Sequence, residues 1–161
     1  MSAPTPRPVR RRRIRAGPAS RGTVGPVPSP SLSLLFVCTA NIARSPYAER
    51  RARMLLGEAS SVRVGSAGVP GYPDRPMDAE MAEQLRMRAG DPTGHVSRCL
   101  DEDILDGADI VLTFAFEHQL RILREWPQAA DRIFGLRQFA DALGQIDATT
   151  LDGPAPVAQV R

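Results

Sequence analysis

A cysteine, an arginine six residues later, and a serine-proline pair directly after it stand together in Cys38-Thr39-Ala40-Asn41-Ile42-Ala43-Arg44-Ser45-Pro46. A thiolate is a strong nucleophile, and a guanidinium is a planar fork that pairs two oxygens of a phosphate. Held on either side of a tight turn, the two would form a cradle. The amides of Thr39, Ala40, Asn41, Ile42, Ala43 and Arg44 can curl inward, and a helix starting behind them adds partial positive charge. Such a field favours the thiolate of Cys38. Asn41 is a residue type that tolerates left-handed backbone, which a tight cradle needs. Ser45 can offer its hydroxyl to the sulfur. The chemistry expected is phosphate-monoester hydrolysis through a phosphocysteine on Cys38, with Arg44 holding the phosphoryl oxygens.

A nucleophile and an arginine at this spacing work only if the chain around them is a strand, a loop and a helix. Leu34–Val37 is a short apolar run suited to a buried strand. From Pro46 the pattern is helical, with Ala48, Ala52 and Leu55 on one face and Glu49, Arg50 and Arg53 on another. Ser45 would cap this helix and Pro46 would take its first position, where no amide hydrogen is needed.

Cys-x5-Arg-Ser-Pro after an N-terminal strand resembles the low-molecular-weight protein tyrosine phosphatase family. The resemblance covers residues 32–143. It implies a flavodoxin-like phosphatase fold, no metal and no organic cofactor, and phosphotyrosine protein or a small phosphomonoester as substrate, with inorganic phosphate as a competing ligand. It also gives supporting roles to Ser66, in Gly65-Ser66-Ala67-Gly68, and to His95, which would orient Asn41. This sequence departs from the family pattern at Ala40, where a glycine is usual, and at Ala43, where a second cysteine is usual. A disulfide between loop cysteines, protecting the nucleophile from oxidation, is therefore absent from the expected chemistry.

The remaining chain alternates strands and helices. Val62–Val64 reads as a second strand, 75–89 as a helix stacking Met77, Met81, Leu85 and Ala89, and Asp101 as the cap of a short helix ending at Asp106. Ile110–Phe114 is the third strand, 117–126 a helix, Ile133–Leu136 the fourth strand and 137–143 a further helix. This pattern predicts an α/β fold of three layers around a four-stranded parallel sheet, with the loop at the carboxyl end of the first strand, where open α/β sheets place ligands. Tyr72 lies in a Pro- and Gly-containing loop where the family's variable active-site rim falls. His118, beside Glu117, reads as a surface residue without a role. Cys99 reads as a small core residue.

The 161 residues, with no lysine, divide by composition. Residues 1–30 carry seven arginines and no acid, and their Arg/Pro-rich composition predicts a disordered tail. The rest carries fourteen arginines against eighteen acids, so residues 31–144 form a mildly acidic phosphatase-like domain. Contact with nucleic acid is expected only through the basic tail. That tail is separated by a Pro/Gly-rich spacer from the short apolar run, which argues against export. No segment is long enough to span a membrane. Two cysteines make neither a disulfide framework nor a metal site, and a cytoplasmic compartment is the expectation.

Residues 145–161 read as a loose C-terminal segment. The family's general acid is an Asp-Pro followed by a final helix. After Leu143 the chain offers Asp147 and Asp152-Gly153-Pro154, neither of them an Asp-Pro, and only seven more residues. Asp152 either serves as a degenerate acid or the element is missing. Two further readings follow: a catalytically weakened phosphate- or phosphoprotein-binding homologue, and an arsenate reductase of the same fold. The latter needs resolving cysteines beyond Cys99.

Overall fold

A computed structural model describes residues 32–57 and 60–146; the Arg-rich stretch 1–30 and residues 147–161, Asp152 among them, lie outside the described residues. The elements run β1 (Leu32–Cys38), α1 (Arg44–Leu56), β2 (Val62–Gly68), α2 (Ala79–Arg86), α3 (Glu102–Asp106), β3 (Ile110–Thr113), α4 (Phe116–Glu125), a 3-10 turn (Pro127–Arg132), β4 (Ile133–Gly135) and α5 (Leu136–Gly144). The strands are all parallel in the order β2-β1-β3-β4. The expected three-layer α/β architecture is thus the one observed.

The apolar run Leu34–Cys38 within β1 reflects burial on both faces. Leu35 and Val37 pack with Val111 and Ile133 against Leu105 of α3 and Ile122 of α4. Phe36 packs with Val64 and Leu112 on the other face, against Ala48 and Ala52 of α1 and Leu136 and Phe139 of α5. Pairing of β1 with β2 runs to Cys38↔Gly68, so the nucleophile is the last residue held by the ladder.

Local departures from expectation have identifiable causes. Helix α1 begins at Arg44, with Ala43 rather than Ser45 as its N-cap and no side-chain cap bond, because the Ser45 hydroxyl is engaged elsewhere. Its buried residues are Ser45, Pro46 and Glu49, whereas Leu55 is 75% exposed. The apolar periodicity therefore pointed partly to the wrong face. Helix α2 starts only at Ala79, since Asp78 caps it by accepting from Met81 N at 3.0 Å. Met77 is buried ahead of the helix, and Ala89, at φ 59°, lies past its end. Cys99 is half-buried; it bridges to Gly68 in a parallel pairing beyond the named strands.

Candidate active site

The loop between β1 and α1 is shaped by what grips its carbonyls. Cys38 O accepts from Val69 N (2.8 Å), Thr39 O from Gly71 N (2.9 Å), Ala40 O from Tyr72 N (3.3 Å), Ile42 O from Asp78 N (2.9 Å) and Ala43 O from Tyr47 N (3.2 Å). Asn41 O lies 2.8 Å from His95 Nε2; a carbonyl only accepts, so that ring nitrogen carries the hydrogen. Every carbonyl from Cys38 to Ala43 is thereby drawn outward. Among the described residues, none of the backbone N–H groups of 39–43 has a protein acceptor. A run of amides with its carbonyls tied back is a nest for an oxyanion.

Asn41 locks this shape. Its φ is 60°, its side chain is fully buried, and each of its side-chain hydrogens and its oxygen is used. Nδ2 donates to Ser45 Oγ (3.0 Å) and Ser66 Oγ (2.8 Å), and Oδ1 accepts from Arg98 N at 2.9 Å. The Ser66 hydroxyl donates in turn to Glu49 Oε2 at 2.5 Å. Glu49, 9% exposed, also pairs with Arg53 at 2.6 Å. Arg98 Nε donates to Ser66 O at 2.9 Å. Ala40 does not need the left-handed conformation, so its methyl is accommodated without backbone strain.

Cys38 is 2% exposed, and its Sγ lies 3.0 Å from Ser45 Oγ. Ser45 already receives a hydrogen from Asn41, and its own proton can go either to the sulfur or to Ala67 O at 3.3 Å. When the sulfur is a thiolate, the hydroxyl can turn to it; a thiol can instead donate to the serine. Across the loop, the exposed Arg44 donates from Nη2 to Thr39 Oγ1 at 3.1 Å. Thr39 Oγ1 is in turn 3.0 Å from Nε2 of His118.

His118 is 4% exposed, contrary to the surface position expected for it. It reaches the loop because α4 starts at the carboxyl end of β3, beside β1. Burial, and after it the Arg44 guanidinium, hold its imidazole below the usual 6.5. Glu49, Arg98 and His118 are the residues the sequence reading left without a role. Glu49 was hidden by its charge, and Arg98 acts largely through backbone. His118 carried one signal, a spacing of four to the buried Ile122 on the same helix.

The structure brings together Cys38, Thr39, Ala40, Asn41, Ile42, Ala43, Arg44, Ser45, Ser66 and His95. Asp152 lies outside the described residues. Among those described, no cluster of His, Cys, Asp or Glu has the makings of a metal site, and no helix is long and apolar enough to cross a membrane.

A doubly covered parallel sheet with an amide nest between a strand-end cysteine and a helix-start arginine defines an α/β protein built around an oxyanion cradle. The sequence model of the family described as low molecular weight phosphotyrosine protein phosphatase matches residues 33–156, and this chain belongs to that family. The match extends past Asp152, further than the motifs alone reach. The chain is 31% identical over 109 residues to a protein-arginine-phosphatase of Bacillus subtilis (strain 168), covering 67% of this chain and 72% of that relative. Its structure resembles that of a YwlE mutant from Bacillus subtilis, with TM-score 0.66 and 28% identity over 80% of this chain and 86% of the other. It also resembles the tyrosine phosphatase Wzb from Escherichia coli K30 in complex with sulphate, with TM-score 0.62, 26% identity, and 80% and 89% coverage.

Proposed function

We propose that this chain hydrolyses phosphomonoesters, phosphotyrosine in proteins foremost, through a phosphocysteine intermediate. The observation that carries the reading is the outward tethering of all six loop carbonyls around a buried cysteine with Arg44 across from it. Phosphoryl transfer asks the protein mainly to position groups and stabilise charge, and the nest does both. The Cys38 thiolate attacks phosphorus as the ester P–O bond breaks, and the leaving oxygen takes a proton. Water then attacks phosphorus, breaks the P–S bond and releases inorganic phosphate and the thiolate. The amides of 39–43 and Arg44 hold the phosphoryl oxygens through both steps, and Ser45 stabilises the departing sulfur. Asp152 is the carboxylate we assign to the proton on the leaving group.

The side chains of Ala40, Ile42 and Ala43 give the loop an apolar, half-buried surface. Tyr72, 57% exposed, is tied to it through Ala40 O. This apolar lining beside an exposed tyrosine suits an aryl ester. The two free cysteines suit a reducing, cytoplasmic compartment.

The test compares rates on a phosphotyrosine peptide, a phosphoarginine peptide and p-nitrophenyl phosphate, beside a Cys38→Ser control. Cys38-dependent turnover of the phosphotyrosine peptide supports the proposal, because a phenol with pKa about 10 departs slowly unless protonated. Turnover of the nitrophenyl ester alone means a nucleophile working without Asp152. Phosphate binding with no turnover of any of the three would replace the enzyme with a binding protein.

A further inference from the structure

Arg44 sits on an exposed side chain, and among the described residues its one side-chain hydrogen bond goes to Thr39 Oγ1. It takes part in none of the ion pairs among those residues. A long, exposed arginine held by a single bond would sample many rotamers, and each lost rotamer must be offset when it binds. What holds it depends on whether Thr39 is itself held. Thr39 Oγ1 has its second contact 3.0 Å away at Nε2 of His118, from the first turn of α4. A guanidinium nitrogen only donates, so Thr39 accepts from Arg44. The imidazole fills the other hydrogen-bonding direction of the same hydroxyl.

Packing alone does not account for a histidine at this place. Its Nδ1 is buried with no partner among the described residues, an arrangement that disfavours histidine where a leucine would fill the space. The charged groups acting on the ring are Arg44 across the loop and Glu117 and Arg121 on its own helix. Burial and the arginine favour the neutral ring, which sits beside Arg44 without repelling it.

We propose that His118 is a positioning residue for oxyanion capture: through the hydroxyl of Thr39 it fixes the orientation of the Arg44 guanidinium over the loop. The inference rests on the reading of the loop as a phosphate cradle. It assigns no proton transfer to His118. The ring acts on the Thr39 hydroxyl, the hydroxyl acts on Arg44, and of these three side chains only that of Arg44 touches the phosphoryl group.

The experiment measures the dissociation constant of inorganic phosphate by NMR titration of the full chain. The proteins compared are wild type, Thr39→Val, His118→Leu, the double variant and His118→Gln, whose amide can reach the place of Nε2. Each single disruptive variant should weaken phosphate about tenfold, the scale of one hydrogen bond to a charged group. The double variant should be no weaker than either single one, and His118→Gln should recover most of the loss. Additive losses, or unchanged affinity in Thr39→Val, overturn the inference. The second of these outcomes needs no His118 variant, so a misfolded His118→Leu leaves the question answerable. A wild-type chain that binds no phosphate overturns the reading of the loop itself, and the inference falls with it.

Discussion

Cys38 Sγ and Ser45 Oγ lie 3.0 Å apart inside the protein, one at the end of β1 and the other in the first turn of α1. The serine that sequence logic assigns to capping the helix is instead turned under the nucleophile. Its capping role is given up because Asn41 and Cys38 both claim the hydroxyl.

Ser45→Ala should therefore affect both chemistry and folding. A hydrogen bond to a charged group contributes about 1.5–3 kcal/mol, so kcat should fall by roughly one to two orders of magnitude. The melting temperature should fall as well, because Asn41 Nδ2 and Ala67 O lose a buried partner, although no helix cap is lost. Rapid-quench measurement of the phosphoenzyme, beside a melting curve, separates the two effects. A large fall in melting temperature with unchanged kcat would contradict the assignment.

Arg44→Lys should weaken inorganic phosphate by more than tenfold, because an ammonium lacks the planar fork that pairs two oxygens at once. Inhibition of p-nitrophenyl phosphate turnover by phosphate measures this directly. Unchanged inhibition would show that the amides alone carry the binding.

Asn41 combines a left-handed backbone with three side-chain hydrogen bonds. Asn41→Gly preserves the backbone freedom and removes the bonds, whereas Asn41→Ala also adds strain. Both should destabilise the fold by about 1–3 kcal/mol or more through buried partners left unpaired, with alanine the worse. Denaturant titration of the pair ranks them. Equal stability of Asn41→Gly and wild type would mean that only the φ angle matters.

His118 should make stability depend on pH in a defined window. Its folded-state value lies below the ordinary 6.5, so the unfolded chain binds the proton more readily. Its contribution to stability is complete above about 6.5, the unfolded value, and is lost as pH falls through the folded value. Denaturation midpoints at pH 7.5 and pH 5.5 should differ more for wild type than for His118→Gln. The same difference in both proteins would assign the pH dependence to other groups.

The sequence reading is good where chemistry and hydrophobic pattern agree. β1 and the loop are legible because an apolar run, a nucleophile and a Ser-Pro pair follow one another, although α1 starts at Arg44, ahead of the serine. It fails where burial is polar. In α1 the buried positions are Ser45, Pro46 and Glu49, so a search for apolar spacing picked Leu55, which faces solvent. Met77 and Ala89 fit a spacing of four and so predict a longer α2, although Asp78 marks its true start. A single histidine beside a glutamate, His118, looks like surface until β3 and β1 are known to be neighbours.

The pairing of Cys38 with Gly68, at the end of the ladder in the centre of the sheet, has a consequence for how the protein ages. The sulfur belongs to the most firmly anchored strand, flanked by β2 and β3. With alanine at position 43, no loop thiol stands ready to condense with an oxidised Cys38. Peroxide damage that passes the sulfenic stage is irreversible. Peroxide enters by the same cradle that admits a phosphoester, so loss of active thiol during storage or stress should slow when phosphate fills the loop.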